Sequence, residues 1–336
     1  MFANPETAPM PQGCASRPLQ LLRDRKRVCG ACHLWGCTAA LLVFVLSRGT
    51  LAGQEPGHEN ELLRQLVEQG VEFDGGFAVK LPEPILADGL DAARQREIIG
   101  AIAGHYSWQQ FVRNSPVAPF ELDQSYVKDA EGRRVGHVID LCFIAHGPLD
   151  VFRDRQRAED VFGEPWPQGG ASEAEVRELE DNELSALGLQ DIDRSAERYV
   201  SIGSSLMNRV YVRGVGHIRR SCTQDSIIIA WKLDPRFNRD DRLANRWYPI
   251  QTTKLGQRER GTARPYQGFG GYLKITDLAE PKGALLFEVH VVLHEPEGWF
   301  SGSNFLRSKT PLIAKEMIDK LRRKLARHDP ADTAGP

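Results

Sequence analysis

The sequence predicts an α+β protein: a curved antiparallel sheet packed on a C-terminal amphipathic helix, with a helical N-terminal region and a helical insertion. Apolar and polar residues alternate with a period of two over 121–146 and through segments of 198–294, as strands with one buried face do. Neighbouring strands lie close in sequence without the crossover of a dozen or more residues that parallel pairing needs, so they form meanders. The last element shifts to helical spacing, with Ala314, Met317, Ile318, Leu321 and Leu325 on one side. Composition agrees with a globular chain: 41% of 336 residues are hydrophobic and 26% charged, which excludes disordered, collagenous and polytopic-membrane classes. With 43 Lys and Arg against 45 Asp and Glu, the formal charge is −2, so binding to nucleic acid or an anionic bilayer would need a local patch.

Residues 1–52 read as a secretory signal: a basic stretch with Arg17, Arg23, Arg25, Lys26 and Arg27, an apolar run over 34–46, then small residues. Cleavage is predicted after Ala52 or Gly53. The run is 13 residues long, short of the roughly 20 of a membrane-spanning helix. Beyond the signal, 37 bases face 43 acids, and across the chain Arg outnumbers Lys 32 to 11, a bias typical of GC-rich bacterial genomes. Residues 53–90 are read as a helix and linker, 91–328 as one domain with a helical insertion over 150–190, and 329–336 as a disordered tail.

Within that frame, Leu62, Leu63, Leu66 and Val67 mark a helix stopped by Gly70, and Leu81-Pro82-Glu83-Pro84 is extended because each proline disfavours helix before it. Asp91 caps a helix running to Ile102, and a short helical piece surrounds Trp108. Strands are predicted over 121–128, 135–146, 198–203, 209–218, 226–233, 271–278 and 284–294. Between the two groups lie a helix over 150–162 and a strongly acidic helix over 172–187, with Ser172 and Glu175 spaced as a capping box. Thr310 is read as the N-cap of the last helix and Pro311 as its first residue.

No motif specifies a reaction. Cys29-Gly30-Ala31-Cys32-His33 matches c-type haem attachment, but it precedes the apolar run and is discarded with the signal. Cys142 and Cys222 remain, and could pair if neighbouring strands bring their Cα atoms to about 5.5–6 Å. Gly203-Ser204-Ser205 and Ser301-Gly302-Ser303 lack the nucleophile-elbow spacing, and Gly268-Phe269-Gly270-Gly271 lacks that of a phosphate-cradling loop. Glu288, His290 and His294 share one strand face, but His294 lies about 13 Å along from His290, too far for one ion. That face is read as solvated, with no metal or other cofactor implied; a composite site with His217 or His137 is the alternative. Asp140, His146 and Asp225 show no recognisable third partner. Trp231, Trp247, Tyr248, Tyr266 and Tyr272 are not interleaved with a dense basic cluster, which argues for core packing and against nucleic acid.

At the C-terminal junction, Glu295-Pro296-Glu297-Gly298-Trp299-Phe300, then Asn304, then Thr310-Pro311 follow a long strand in that order. This resembles the close of START-type lipid-transfer domains, over about 60 residues from Gly271, and the upstream element order is similar too. The Trp-Asp pair and the Arg-Asp strand typical of that family are missing from the sequence. The resemblance implies a helix-grip fold whose ligand cavity lies between sheet and helix, with Phe287, Val289, Val291, Met317, Ile318 and Leu321 as walls. Trp299 and Phe300 would form a portal loop available to ligand or membrane. The resulting expectation is an exported, periplasmic or extracellular protein that binds a hydrophobic small molecule or lipid without covalent chemistry. An enzyme with His217, His290 or Asp140 in a polar pocket, and an envelope interaction protein using acidic residues 173–193, are the alternatives.

Overall fold

The computed structural model describes residues 59–74, 76–162, 175–190, 192–300 and 304–328. The signal and the haem-like motif lie outside them, as does the tail from residue 329. The elements are, in chain order, α1 (Glu61–Glu68), β1 (Val71–Glu72), β2 (Ala78–Val79), α2 (Ala92–Ile102), α3 (Trp108–Phe111), β3 (Phe120–Lys128) and β4 (Arg134–His146). Next come α4 (Asp150–Arg153), α5 (Arg155–Phe162), β5 (Glu175–Glu178), α6 (Asp181–Ser185), β6 (Glu197–Leu206), β7 (Val210–Cys222) and β8 (Ser226–Leu233). The chain closes with β9 (Arg246–Thr252), β10 (Arg258–Arg260), β11 (Arg264–Pro265), β12 (Phe269–Asp277), β13 (Ala284–His294) and α7 (Phe305–Leu325).

Eleven strands form one sheet whose spine runs β10-β9-β7-β8-β12-β13-β4-β3. Every pairing in it is antiparallel. The long β7 takes β6 along one side, and β9 then β8 along the other. A two-residue left-handed turn at Met207 and Asn208 joins β6 to β7, matching the strand twist as primed turns do.

Alternation along the strands gives the sheet two faces, and both are covered. The inner face carries Phe143, Ile229, Trp231, Leu273, Phe287, Val289 and Val291 against Leu306, Ile313, Ile318, Leu321 and Leu325 of α7, with Phe152 and Val161 of α4 and α5 completing the core. The outer face is covered by the N-terminal residues: Leu62, Leu66, Val71 and Phe73 pack on Tyr272 and Val292, and Leu86, Ile99 and Phe111 on Ile144 and Leu286. Glu288, His290 and His294 are therefore not on a solvated face; they are at most 4% exposed, beneath this layer. The alternation that puts them on one side says nothing about what lies over that side.

The expected Asp91 cap is present, and two further caps appear. Asp91 accepts from the Arg94 N–H, Ser107 and Gln110 form a capping box on α3, and Asn60 caps α1. Two other expectations are corrected. The acidic helix over 172–187 is absent: 175–178 is the strand β5, hydrogen-bonded to the edge of β6, and only Asp181–Ser185 is helical. Residue 172 lies outside the described residues. The last helix begins at Phe305 instead of Pro311, because Leu306 is buried in the core and Phe305 stacks on Phe300. Thr310 turns its hydroxyl back to the Leu306 carbonyl instead of capping.

Candidate functional site

The inner face has two ends of different character. Toward α4, Phe287 stacks on Phe143 at 4.7 Å between centroids and meets Phe152 edge-on at 5.4 Å. All six residues read as cavity walls join this apolar cluster; Phe287, Val289, Val291, Ile318 and Leu321 are buried and Met317 is partly so. None of the six borders the small cavity at the other end.

That cavity, about 30 Å³, is lined by Ile202, Leu206, Val212, Leu233, Tyr266, Phe269, Leu293 and Trp299, together with Arg213 and Gly214. Trp299 reaches it from a turn in which the Trp299 N–H donates to the Pro296 carbonyl and Gly298 takes φ 92°. Any side chain at 298 would strain that turn. Trp299 and Phe300 are 2% and 5% exposed, so the predicted portal residues face the interior and not the surroundings. Trp299 stacks on Tyr266 at 5.3 Å and meets Trp247 at 6.0 Å. Sequence reading placed one residue of this lining, Trp299, and missed the rest, because they come from five separate strands and a loop.

Two indole N–H groups in this interior, on Trp231 and Trp299, are buried with no hydrogen-bond partner among the described residues. Trp231 lies across Gly271, where a Cβ would stand 2.8 Å from its ring. Buried donors are nearly always paired, so two in one apolar interior mark places where an acceptor would be favoured.

The outer face holds a polar cluster. His290 Nδ1 is 2.5 Å from Asp140 Oδ1 on β4, and Nε2 is 3.0 Å from Glu288 Oε1. Burial opposes the imidazolium, but the bonds to Asp140 and Glu288 outweigh it and raise the His290 pKa. Glu288 Oε1 also accepts from the Ile85 N–H, and Tyr272 shares its hydroxyl proton between Glu288 and the Pro82 carbonyl. Burial, then Glu288, drives the Tyr272 pKa upward. Beside them Lys274 donates to the Leu86 carbonyl and pairs with Asp88. The cluster thus fastens residues 82–88 to the sheet.

Of the residues the enzyme reading named, His290 and Asp140 meet, but under this strap. His217 stands apart on β7 with Glu197, whose pKa it lowers by hydrogen bonding. His137 pairs with Glu295, and His146 meets the Val112 carbonyl. Among the described residues no three His, Cys, Asp or Glu side chains are arranged to hold a metal ion; both His290 nitrogens are already engaged. Asp225 accepts from the Gly89 N–H.

Cys142 and Cys222 are free thiols. They lie on β4 and β7 with three strands between, about 19 Å apart at ordinary strand spacing, so the candidate disulfide cannot form. Burial and then Glu288 push the Cys142 pKa up, which keeps it an unreactive thiol. In the acidic segment, Glu183 pairs with Arg177, and Glu178 and Asp181 pair with Arg194, so much of its charge is met internally.

No family model and no curated protein matches the chain. Among solved structures it is similar to the human StarD13 (DLC2) lipid transfer and protein localization domain, at 10% identity and TM-score 0.34, covering 61% of this chain and 84% of that one. It is also similar to a putative uncharacterized protein from Rhizobium leguminosarum, at 13% identity and TM-score 0.28, covering 62% and 99%. A third is the Mll3558 protein from Rhizobium loti, at 9% identity and TM-score 0.28, covering 61% and 99%.

Proposed function

We propose that the protein binds a hydrophobic small molecule or lipid carrying one hydrogen-bond acceptor, held between the inner face of the sheet and α7, without covalent chemistry. The observation that carries this is the pair of buried, unpartnered indole N–H groups of Trp231 and Trp299 inside a surface otherwise made of aliphatic and aromatic side chains. A carbonyl, hydroxyl or carboxylate oxygen would satisfy the Trp299 N–H, on the residue that borders the cavity, while its hydrocarbon part leaves water. Small-molecule pockets run to roughly 300–1,000 Å³, so uptake beside Trp299 must displace lining side chains from the 30 Å³ now open. The signal read at residues 1–52 supports export to the periplasm or beyond; cell fractionation with an antibody to the mature chain tests that part.

Native mass spectrometry of the purified protein, followed by denaturing extraction and titration with a fluorescent fatty acid, tests the binding. A copurifying or titratable apolar ligand that quenches tryptophan emission, and loses affinity in Trp299→Phe, is the expected result. A ligand-free mass together with no uptake of the fatty acid would rule the reading out.

A further inference from the structure

The chain as a whole has almost no net charge, but residues 246–264 carry Arg246, Lys254, Arg258, Arg260 and Arg264 against one acid, Glu259. β9 and β10 fold this segment into a hairpin at the end of the sheet, in the register Arg258↔Thr252 and Arg260↔Ile250. Its turn runs from Thr253, whose carbonyl accepts the Gly256 N–H, and Gly256 takes φ 78°. At the tip stands Leu255, 86% exposed, beside exposed Lys254 and Arg258. A leucine left almost wholly in water at the end of a cationic hairpin gains nothing from the fold that displays it.

Several arginines here lie over aromatic rings. Arg260 lies 3.5 Å above the Tyr211 ring, Arg264 5.0 Å above Trp247 and Arg213 5.9 Å above Tyr248. An aromatic face orients a guanidinium but carries no net charge, and at the tip Arg258 donates to the neutral Asn208 side chain beside exposed Lys254. The structure thus interleaves bases and aromatics that the sequence spaces apart.

We propose that this hairpin docks the protein on an anionic lipid bilayer, with Leu255 entering the apolar boundary and Lys254 and Arg258 at the level of the lipid phosphates. Two features favour a bilayer over nucleic acid. Tyr211 and Trp247 are each only 3% exposed, so they offer no ring on which a base could stack, and an aliphatic tip gains nothing among phosphates. A bilayer rewards both parts of the hairpin, since apolar burial and attraction to anionic headgroups act together there. The inference does not depend on the ligand reading above.

The test is co-sedimentation of the full chain with phosphatidylcholine vesicles, with and without phosphatidylglycerol, across a salt series. Binding to the anionic vesicles alone, weakening as salt rises, is the expected result. Each cation near such a surface is worth about a fivefold change in affinity, so Lys254→Gln with Arg258→Gln should weaken binding about twenty-five-fold and flatten the salt dependence. Leu255→Ser should weaken it severalfold while leaving that dependence alone. All three side chains are exposed, and an unchanged melting temperature checks that the variants fold. Equal binding to neutral vesicles, no binding, or indifference to both variants overturns the proposal. So does competition by soluble polyglutamate that Leu255→Ser does not alter, which would point to an acidic protein partner instead.

Discussion

Replacing His290 by Leu would leave the Glu288 carboxylate, 1% exposed, and the half-buried Asp140 with no cation between them. Losing one partner of a buried charged group costs about 3–5 kcal/mol, and urea unfolding of His290→Leu should show a loss of that size; a loss under about 1 kcal/mol would mean the pair is not ionic. The pH dependence has a defined sign. The His290 pKa is raised from 6.5, so its contribution is complete below that value and is lost as pH rises through the higher, folded one. His294 is shifted the other way, by burial, and opposes folding as pH falls below 6.5. The stability difference between wild type and His290→Gln should therefore shrink as pH rises above 6.5, and a difference that is flat or grows over that range would contradict the assignment. Arg322 is a second buried charge, 5% exposed, whose donors all go to backbone carbonyls: Ile144, Ala118 and Pro119 with Pro116 farther off. Burial pulls its pKa down to about 10, so it stays protonated at neutral pH. Arg322→Met would strand those carbonyls, at about 1–3 kcal/mol for each one left buried and unpaired; a neutral effect in denaturant melts would show that water replaces the guanidinium. Neither residue could be read correctly from the sequence: helical spacing does not show that Arg322 meets the carbonyls of Ile144 and of the 116–119 segment that precedes β3.

At the scale of elements, what was legible is what local periodicity determines. The strands predicted within 121–146, 198–233 and 271–294 and the helices capped by Asp91 and Ser107 came out within a few residues of their spacing signals, whereas β9, β10 and β11 were not predicted. Failures fall where a distant partner overrides local preference. Residues 175–178 have helix-forming composition but extend because the edge of β6 offers backbone partners, Glu175↔Gly203 to Glu178↔Val200; burying an edge outweighs a few tenths of a kcal/mol in propensity. The start of α7 is the clearest case. Pro311 signals a first turn, but the helix continues six residues before it, tethered by Leu306 and by Asn304, whose side chain accepts from Tyr126 and Arg134. The proline then sits inside the helix, where the Arg307 carbonyl gets no amide donor. Pro311→Ala restores that bond at the expense of a floppier unfolded chain, and a net gain of about 1–2 kcal/mol is expected, read as a higher melting temperature. An unchanged or lower temperature would show that the helix is already relaxed around the proline.

For the whole molecule, the sequence indicated a sheet with one apolar face and a helix to cover it, and the structure adds a second cover of equal consequence. Residues 60–112 form that outer layer through two apolar clusters and a line of polar contacts, and the two kinds of contact depend on each other. The apolar parts, Leu62, Leu66, Leu86 and Ile99, exclude water from Glu288, His290 and Lys274. The polar parts fix where the strap lies, through the Ile85 N–H on Glu288, the Pro82 carbonyl on Tyr272 and the Leu86 carbonyl on Lys274. This layer was illegible because charged residues alternating on a strand ordinarily signify water, and only the prolines at 82 and 84 hinted at an extended cover. A chain starting at residue 113 would keep every strand of the eleven-stranded sheet and α7 but expose Tyr272, Ile144, Leu286 and Val292. It would also return Glu288 and Lys274 to water while His290 still holds Asp140. Because the inner core is untouched, loss of folding in this variant can be assigned to the outer face alone. We expect it to lack a cooperative urea transition and to bind a hydrophobic dye. A monomer that melts sharply near the wild-type temperature would show instead that the sheet and α7 are self-sufficient, and that the outer layer is an attachment free to leave.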